Sequence, residues 1–255
     1  VKKIKILILA GGGASTRLMF NGINNDFFIE QVIIEKPVHK RLMLMRRVKT
    51  LGLMRVIGQL VFMAYNMWLK ILSKERITEI IENNNLTDNE IDERIITKVD
   101  SVNSEETIAI LRKFRPDVVV VNGTRIIKKE ILDAINVIFI NTHVGITPRY
   151  RGVHGGYWAL TESDIEHCGV TVHLVDSGID TGGVLYQNVI RPTAKDNFNT
   201  YPYLQIAAAI PLMKKAIFDV SNRTYIIKES DSCSKLWSHP TILEYLRHRV
   251  LRGVK

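Results

Sequence analysis

Short apolar runs alternate with longer amphipathic segments along this chain of 255 residues. Runs rich in β-branched and aromatic residues predict buried strands, and apolar residues three or four positions apart predict helices. Strands are predicted at 1–10, 28–35, 95–99, 118–121, 137–140, 169–175 and 183–190, with an edge strand at 222–228. Helices are predicted from Thr16, at 40–55 with a break near Gly52, and at 56–72, 104–115, 128–134, 197–219 and 242–252.

The alternation of strands and helices predicts the α/β class, with a doubly wound, mostly parallel sheet. In such sheets ligands bind at the carboxyl ends of the strands. The predicted organisation is a catalytic domain over 1–220, interrupted by a helical insertion at 39–81, and a short C-terminal strand and helix extension over 221–255.

One strand end carries chemistry. Asn141-Thr142-His143 follows four apolar residues and precedes a Gly/Pro-rich loop. Because side chains alternate along a strand, Asn141 and His143 can point to the same face. An amide beside an imidazole can grip a carbonyl oxygen and move a proton near pH 7. The same pair would also suit a turn cap and a hydrogen-bonded filler histidine.

A second segment narrows the alternatives. Residues 169–175 alternate as a strand, and the loop that follows carries two carboxylates, Asp176 and Asp180, among three glycines. Together with Asn141-Thr142-His143 and Pro148-Arg149-Tyr150-Arg151-Gly152, this segment resembles the formyltransferase family. That family includes glycinamide ribonucleotide formyltransferase, methionyl-tRNA formyltransferase and the sugar N-formyltransferases.

The resemblance implies a Rossmann-like formyltransferase fold and 10-formyltetrahydrofolate as co-substrate. It assigns catalytic roles to Asn141, His143 and Asp180. The implied folate-binding residues are Arg125, Ile126, Ile127, Asp176 and Asp180. The implied substrate-binding residues are Gly12, Gly13, Ser15, Tyr150, Gly152 and His154, and His173 is interpreted as a structural or folate-loop residue.

Formyl transfer to an amine develops negative charge on the formyl oxygen. Asn141 and a protonated His143 are expected to donate hydrogen bonds to that oxygen. Asp180 is expected to orient His143, to raise its pKa and to carry protons. No zinc-like ligand spacing is present in the sequence, so we expect no metal.

The acceptor is less well defined. Gly11 to Ser15 form a glycine-rich turn before a helix, where backbone N–H groups can hold a phosphate, although such turns are also common without one. The expected acceptor is a small amine, an amino sugar on a nucleotide diphosphate. Glycinamide ribonucleotide, a non-catalytic folate-binding role and formyltetrahydrofolate hydrolysis remain alternatives.

Composition adds limits. The hydrophobic content of 46% and charged content of 24% are typical of a folded protein, and two cysteines favour a reducing cytoplasm. The net charge of +9 suits an anionic partner, but no aromatic and basic reading surface is apparent. The segment after residue 219 is also short for a tRNA-binding domain, so we expect no nucleic-acid partner.

The insertion at 39–81 has no counterpart in the family motifs. The favoured interpretation is a helical hairpin packed on the core or forming a homodimer interface, without stable membrane insertion. A surface helix lying on anionic lipid is the alternative. Packing predicts burial of a set of apolar side chains: Val56, Leu60, Val61, Met63, Met67 and Leu72.

Overall fold

The computed structural model describes residues 4–228 and 233–255. Its main sheet contains seven strands, and a short pair of strands lies apart from it. The strands are β1 Lys5–Gly11, β2 Phe28–Glu35, β3 Ile96–Val99, β4 Val118–Asn122, β5 Ile138–His143, β6 Arg151–Gly152, β7 Gly169–Leu174, β8 Val184–Val189 and β9 Leu236–Trp237. Residues 1–3 of the predicted first strand lie outside the described residues.

The α-helices flank this sheet or extend from it. They are α1 Ala14–Asn24, α2 Lys40–Leu51, α3 Leu53–Leu72, α4 Lys74–Asn83, α5 Glu105–Phe114, α6 Lys129–Leu132, α7 Gly155–Thr161, α8 Tyr201–Ser221 and α9 Ile242–Arg252. Single 3-10 turns cover Glu93–Ile95 and Ile165–His167.

The strand order is β3-β2-β1-β4-β5-β7-β8. The first five of these strands are parallel, and β7 and β8 are antiparallel to their neighbours. Apolar side chains of β1 alternate between two buried clusters, with Ile6 and Ile8 in one and Leu7 and Leu9 in the other. A strand buried on both faces is continuously apolar for this reason. The predicted α/β class and mostly parallel sheet are confirmed.

Local sequence signals account for several helix starts. Ser104 caps α5, because its Oγ accepts a hydrogen bond from the Thr107 N–H at 3.3 Å. Thr241 and Glu244 form a capping box at α9, with each side chain bonded to the backbone of the other.

Three predicted elements differ from the structure. The helix predicted at 128–134 is shortened to α6, and the helix predicted at 197–219 begins at Tyr201. Residues 222–227 are not a strand, and the N–H of Lys228 makes one isolated antiparallel bridge to the carbonyl of Val184 at 2.8 Å. Propensity predicted an extended segment at 222–228, but the edge of β8 pairs with only one of its residues.

The predicted burial of the hairpin is wrong for most of its residues. Of the six apolar side chains, Val56 is buried, whereas Leu60, Val61, Met63, Met67 and Leu72 are exposed. The reason is geometric, because α3 contacts the rest of the chain along one side only, where Val56, Gln59 and Phe62 are buried and Tyr65 and Leu69 are partly buried. No single helix within residues 4–228 and 233–255 is long and apolar enough to cross a membrane, although α3 and α4, bent by 62°, pass that test as a pair.

Candidate active site

A cleft of about 340 Å³ opens at the carboxyl ends of β4 and β5. Its lining comes from segments 121–127, 141–144, 152–153 and 173–180. Parallel strands direct their carboxyl-terminal loops to one edge of the sheet, so residues that are far apart in sequence meet there. The three predicted catalytic residues and the five predicted folate-binding residues all line this cleft.

The buried imidazole of His143 has a partner on each nitrogen. Its Nδ1 lies 3.2 Å from Asp180 Oδ2, and its Nε2 lies 2.6 Å from the carbonyl oxygen of Tyr150. A carbonyl only accepts, so Nε2 carries a proton and donates it to Tyr150. A proton taken up by this ring must therefore reside on Nδ1, facing Asp180.

The electrostatics of His143 differ from the prediction. Burial lowers its pKa, and this effect outweighs the opposing charge of Asp180 and the hydrogen bond to Tyr150. The ring is therefore neutral at rest near pH 7, not protonated as predicted. Its Nε2 proton is also donated to the carbonyl oxygen of Tyr150.

Asp180 is held as a carboxylate. Burial alone would raise its pKa, but the neighbouring His173, the nearby His143 and the hydrogen bond from the Gly152 N–H together lower it below its usual value. The backbone N–H of Gly152 donates to Asp180 Oδ2 at 3.0 Å. Gly152, predicted to bind substrate, lines the cleft and positions the carboxylate through its backbone.

His173 lines the cleft and contacts the predicted catalytic residues, whereas the sequence indicated a structural or folate-loop residue. Its Nδ1 lies 2.7 Å from the carbonyl oxygen of Leu174, so Nδ1 donates and the neutral ring leaves Nε2 as an acceptor. Asn141 Nδ2 lies 3.2 Å from that Nε2, and Asp180 Oδ1 lies 3.6 Å from it. His173 therefore joins Asn141 to Asp180. The alternation of side chains along β7 could have indicated this position of His173, because His173 pairs with Asn141 of β5 in the sheet.

The loop after β4 is anchored from behind the cleft. Arg125 donates its backbone N–H to Glu35 Oε1 at 2.6 Å, and its Nε lies 2.5 Å from Glu35 Oε2. The Asn103 side chain donates to the carbonyl of Ile126 at 2.9 Å. These contacts turn the Arg125 side chain toward Glu35 and leave Ile126 and Ile127 on the cleft.

The opposite loop is fixed by its own carboxylate. Asp176 accepts hydrogen bonds from the Gly178 N–H at 3.0 Å and from the Thr181 hydroxyl at 2.7 Å. Between the two loops the cleft has apolar walls and a polar end formed by Asn141, His143 and Asp180. Its volume lies in the range of small-ligand sites.

The predicted phosphate turn lies beside the cleft rather than in its lining. Ser15 Oγ accepts a hydrogen bond of 3.1 Å from Asn122, the last residue of β4. Gly12 and Gly13 precede α1, whose first N–H groups can hold an anion. Arg17 does not supply a free charge there, because Asp88 binds it through two hydrogen bonds of 2.7 and 3.0 Å.

Two predicted substrate contacts are corrected by their environment. The Tyr150 side chain is buried, and its hydroxyl donates to Asp164 at 2.8 Å, so only its backbone reaches the site, through His143. The His154 ring points into an aromatic cluster, where Nε2 lies 2.9 Å from His239 Nδ1. Burial and His239 lower the pKa of His154 to about 3. Tyr150 lies two residues before Gly152 and His154 two residues after it, but the loop turns both side chains away from the cleft.

Within residues 4–228 and 233–255, no group of three or more His, Cys, Asp or Glu side chains is placed to hold a metal ion.

Comparison with known proteins places the chain in a family. A methionyl-tRNA formyltransferase from Finegoldia magna is 40% identical over 92 residues, which cover 36% of this chain and 29% of that protein. The chain thus spans less than a third of the length of that curated relative.

Solved structures share the fold. A sugar N-formyltransferase from a Shewanella species superposes with a TM-score of 0.57 at 18% identity, covering 92% of this chain and 76% of that chain. A sugar 3N-formyl transferase solved in the presence of dTDP and 5-N-formyl-THF superposes with a TM-score of 0.53 at 19% identity, covering 93% and 70%. The model of the formyl transferase family matches residues 62–203, more than half of the sequence and the part that contains the cleft. The chain therefore belongs to the formyl transferase family.

Proposed function

We propose that this protein transfers the formyl group of 10-formyltetrahydrofolate to the primary amine of a small phosphorylated acceptor, an amino sugar on a nucleotide diphosphate. The observation that carries the proposal is the connected group of Asn141, His143, His173 and Asp180 at the polar end of the cleft. Its members hydrogen-bond or face one another within 3.6 Å.

The folate co-substrate supplies a formyl group on a weakly basic nitrogen. Arg125, Ile126 and Ile127 on one side, with Asp176 on the other, would hold its ring system between the two anchored loops. Asn141 retains a second amide proton that is not used by His173, and this proton can stabilise negative charge on the formyl oxygen. The transfer forms one C–N bond to the acceptor and breaks one to the folate nitrogen.

The proton balance of the reaction falls to His143 and Asp180. The attacking amine must lose a proton, and the folate nitrogen must gain one. Asp180, an ionised carboxylate, can accept the first proton directly or through water, and His143 Nδ1 lies 3.2 Å away to share it. The neutral resting ring is suited to this task, because a ring already protonated on Nδ1 could not accept.

The choice of acceptor is supported by the turn at Gly12, Gly13 and Ser15. This turn places the start of an eleven-residue helix next to the end of β4, so a phosphate bound there would lie beside the cleft. Methionyl-tRNA is a second candidate, favoured by the 40% identity of one segment to a methionyl-tRNA formyltransferase.

The test is a panel of acceptors incubated with enzyme and 10-formyltetrahydrofolate, scored by mass spectrometry for gain of one formyl group. The panel contains amino-sugar nucleotides, glycinamide ribonucleotide and methionyl-tRNA. Formylation of an amino-sugar nucleotide, lost in Asn141→Ala, is the expected result. Formylation of methionyl-tRNA alone would show that methionyl-tRNA, and not an amino-sugar nucleotide, is the acceptor. Hydrolysis of the formylfolate without any formylated product would contradict transfer.

A further inference from the structure

One helix of the insertion exposes a broad apolar surface. The exposed large side chains of α3 are Leu53, Met54, Ile57, Leu60, Val61, Met63, Met67, Trp68, Ile71 and Leu72. At 3.6 residues per turn, these positions cover about half of the helix circumference. We call this surface the apolar face of α3. Monomeric proteins rarely expose a continuous apolar patch of this kind without using it.

The opposite edge of α3 holds the helix in place. Val56, Gln59 and Phe62 are its buried residues. Phe62 packs against Tyr245 of α9 with ring centroids 5.0 Å apart, and Gln59 donates to the carbonyl of His239 at 2.7 Å. The apolar face is thus presented outward by a docked helix and is not the surface of a detached segment.

The charged residues of α2 and α3 themselves are all basic. Between Glu35 and Glu75 the sequence contains no acidic residue. The basic residues of α2 and α3 are Lys40, Arg41, Arg46, Arg47, Lys49, Arg55 and Lys70. Arg55 is paired with Glu244 at 3.2 Å, and five of the others lie on α2, which has no buried residue. The partner of this region should therefore be apolar and anionic together.

We propose that the apolar face of α3, flanked by the basic residues of α2, docks on the surface of an anionic lipid membrane. A helix with a wide apolar face, basic flanks and an exposed tryptophan is suited to the plane between headgroups and acyl chains. Trp68 is 56% exposed on this face. Docking needs no helix to cross the bilayer, and each basic side chain near an anionic surface adds attraction that weakens with salt.

Two other partners fit the surface less well. Met54, Ile57, Val61, Ala64, Trp68 and Ile71 have the alternating spacing of three and four that a coiled-coil seam uses, but such a seam is narrow and does not require half of the circumference. A two-fold dimer would also bring the basic residues of α2 toward their copies. Nucleic acid would satisfy the charge and leave the apolar face uncovered.

The test is sedimentation of the full chain with vesicles at low and physiological salt. Vesicles of phosphatidylcholine alone are compared with an equal mixture of phosphatidylcholine and phosphatidylserine. We expect binding to the mixed vesicles that weakens with salt. The double variant Arg46→Glu and Arg47→Glu should bind at least roughly 30-fold more weakly, which corresponds to two basic residues at about 1 kcal/mol each.

Two further variants separate the explanations. Arg112→Glu with Lys113→Glu makes the same change of charge at the end of α5 and should leave vesicle binding unchanged. Trp68→Ser with Ile71→Ser keeps the charges and should weaken binding to vesicles. Any binding to a short DNA duplex depends on charge and should be unchanged in this variant. Thermal unfolding checks that each variant is folded.

Several outcomes would overturn the proposal. They are binding to DNA but not to vesicles, a stable dimer by light scattering that does not bind vesicles, and equal weakening by the α5 control. Wild-type binding by the folded Arg46→Glu, Arg47→Glu variant would overturn it as well.

Discussion

The cleft and the hairpin of α2 and α3 treat their side chains in opposite ways. In the cleft, buried polar groups satisfy one another, as His143 does with Asp180 and with the carbonyl of Tyr150. In the hairpin, apolar groups face outward and the charged residues of α2 and α3 are all basic. A closed polar network is suited to chemistry on a bound molecule. An open apolar surface is suited to attachment.

The two regions should also respond differently to mutation. Changes in the cleft should alter rates or leave a buried group without its partner. Changes on the apolar face should cost less folding energy, because those side chains remain 40–81% exposed in the folded chain. The predictions below test this contrast, beginning with the largest expected effect.

The largest effect is expected for Asn141→Ala and His143→Ala. Each should reduce single-turnover formyl transfer by roughly a hundredfold or more, because each removes a group that acts on developing charge or on a proton. Folate binding, measured by calorimetry, should stay within an order of magnitude. Thr78→Ala is the control, since Thr78 is exposed on α4, outside the cleft lining, and its hydroxyl donates to the carbonyl of Lys74 at 3.2 Å. Near-normal transfer by either variant would remove that residue from the mechanism.

Asp180→Asn should lower the rate by roughly a hundredfold and change its pH dependence. The charge of Asp180 raises the pKa of His143, against the larger lowering by burial. Removing that charge should lower the pKa further, so the acid limb of the pH–rate profile should move to lower pH or flatten. The rate of transfer across the acid range measures this. An unchanged profile would mean that Asp180 only shapes its loop.

Gly145→Ala should destabilise the fold by about 1–3 kcal/mol and impair transfer. A Cβ at this position would lie 2.4 Å from the carbonyl oxygen of Tyr150 and 2.8 Å from His143 Nε2. The contact between those two groups would have to shift. Gly12→Ala is the matched control for stability, because its nearest new contact is an ordinary 3.9 Å to Ile34. Equal denaturant midpoints for the two variants would contradict the crowding at Gly145.

The smallest effect concerns the buried histidine pair. Burial lowers the pKa of His154 to about 3 and that of His239 to about 4, from a usual value of 6.5. The unfolded chain therefore binds protons first as pH falls, so stability is full above pH 6.5 and is lost below it. His154→Asn should reduce the pH dependence of the unfolding free energy between these values by up to about 1.4 kcal/mol per pH unit. Asn tolerates the left-handed backbone at this position.

Chemical denaturation at several pH values measures that slope. His39→Asn, at the exposed start of α2, is the control and should leave the slope as it is in the wild type. A slope unchanged by His154→Asn would show that His154 is not held neutral by its surroundings.

Much of the cleft could be predicted because its signals are local. Strand alternation put Asn141 and His143 on one face, and the resemblance to the formyltransferase family added Asp180 to them. The roles of Tyr150 and His154 could not be predicted in this way. Their side chains follow the turn of a loop into an aromatic cluster assembled from distant residues, including Phe198 and His239.

The hairpin shows the limit of periodicity. The apolar pattern of 56–72 predicted a helix correctly, but the same pattern does not say which face finds a partner. One side of the helix meets the core, with Val56, Gln59 and Phe62 buried and Tyr65 and Leu69 partly buried against α9 and Phe198. The pKa of His143 was difficult to predict for a similar reason. Burial by groups distant in sequence lowers this pKa more than the nearby carboxylate of Asp180 raises it.

The most direct test of the contrast is one formyl-transfer assay on two folded variants, His143→Ala and the double variant Arg46→Glu, Arg47→Glu. The account predicts that His143→Ala loses transfer by roughly a hundredfold or more while the hairpin variant keeps the wild-type rate with acceptor and folate in solution. A hairpin variant that loses transfer as severely as His143→Ala, with an unchanged melting temperature, would contradict the separation of the cleft from the hairpin.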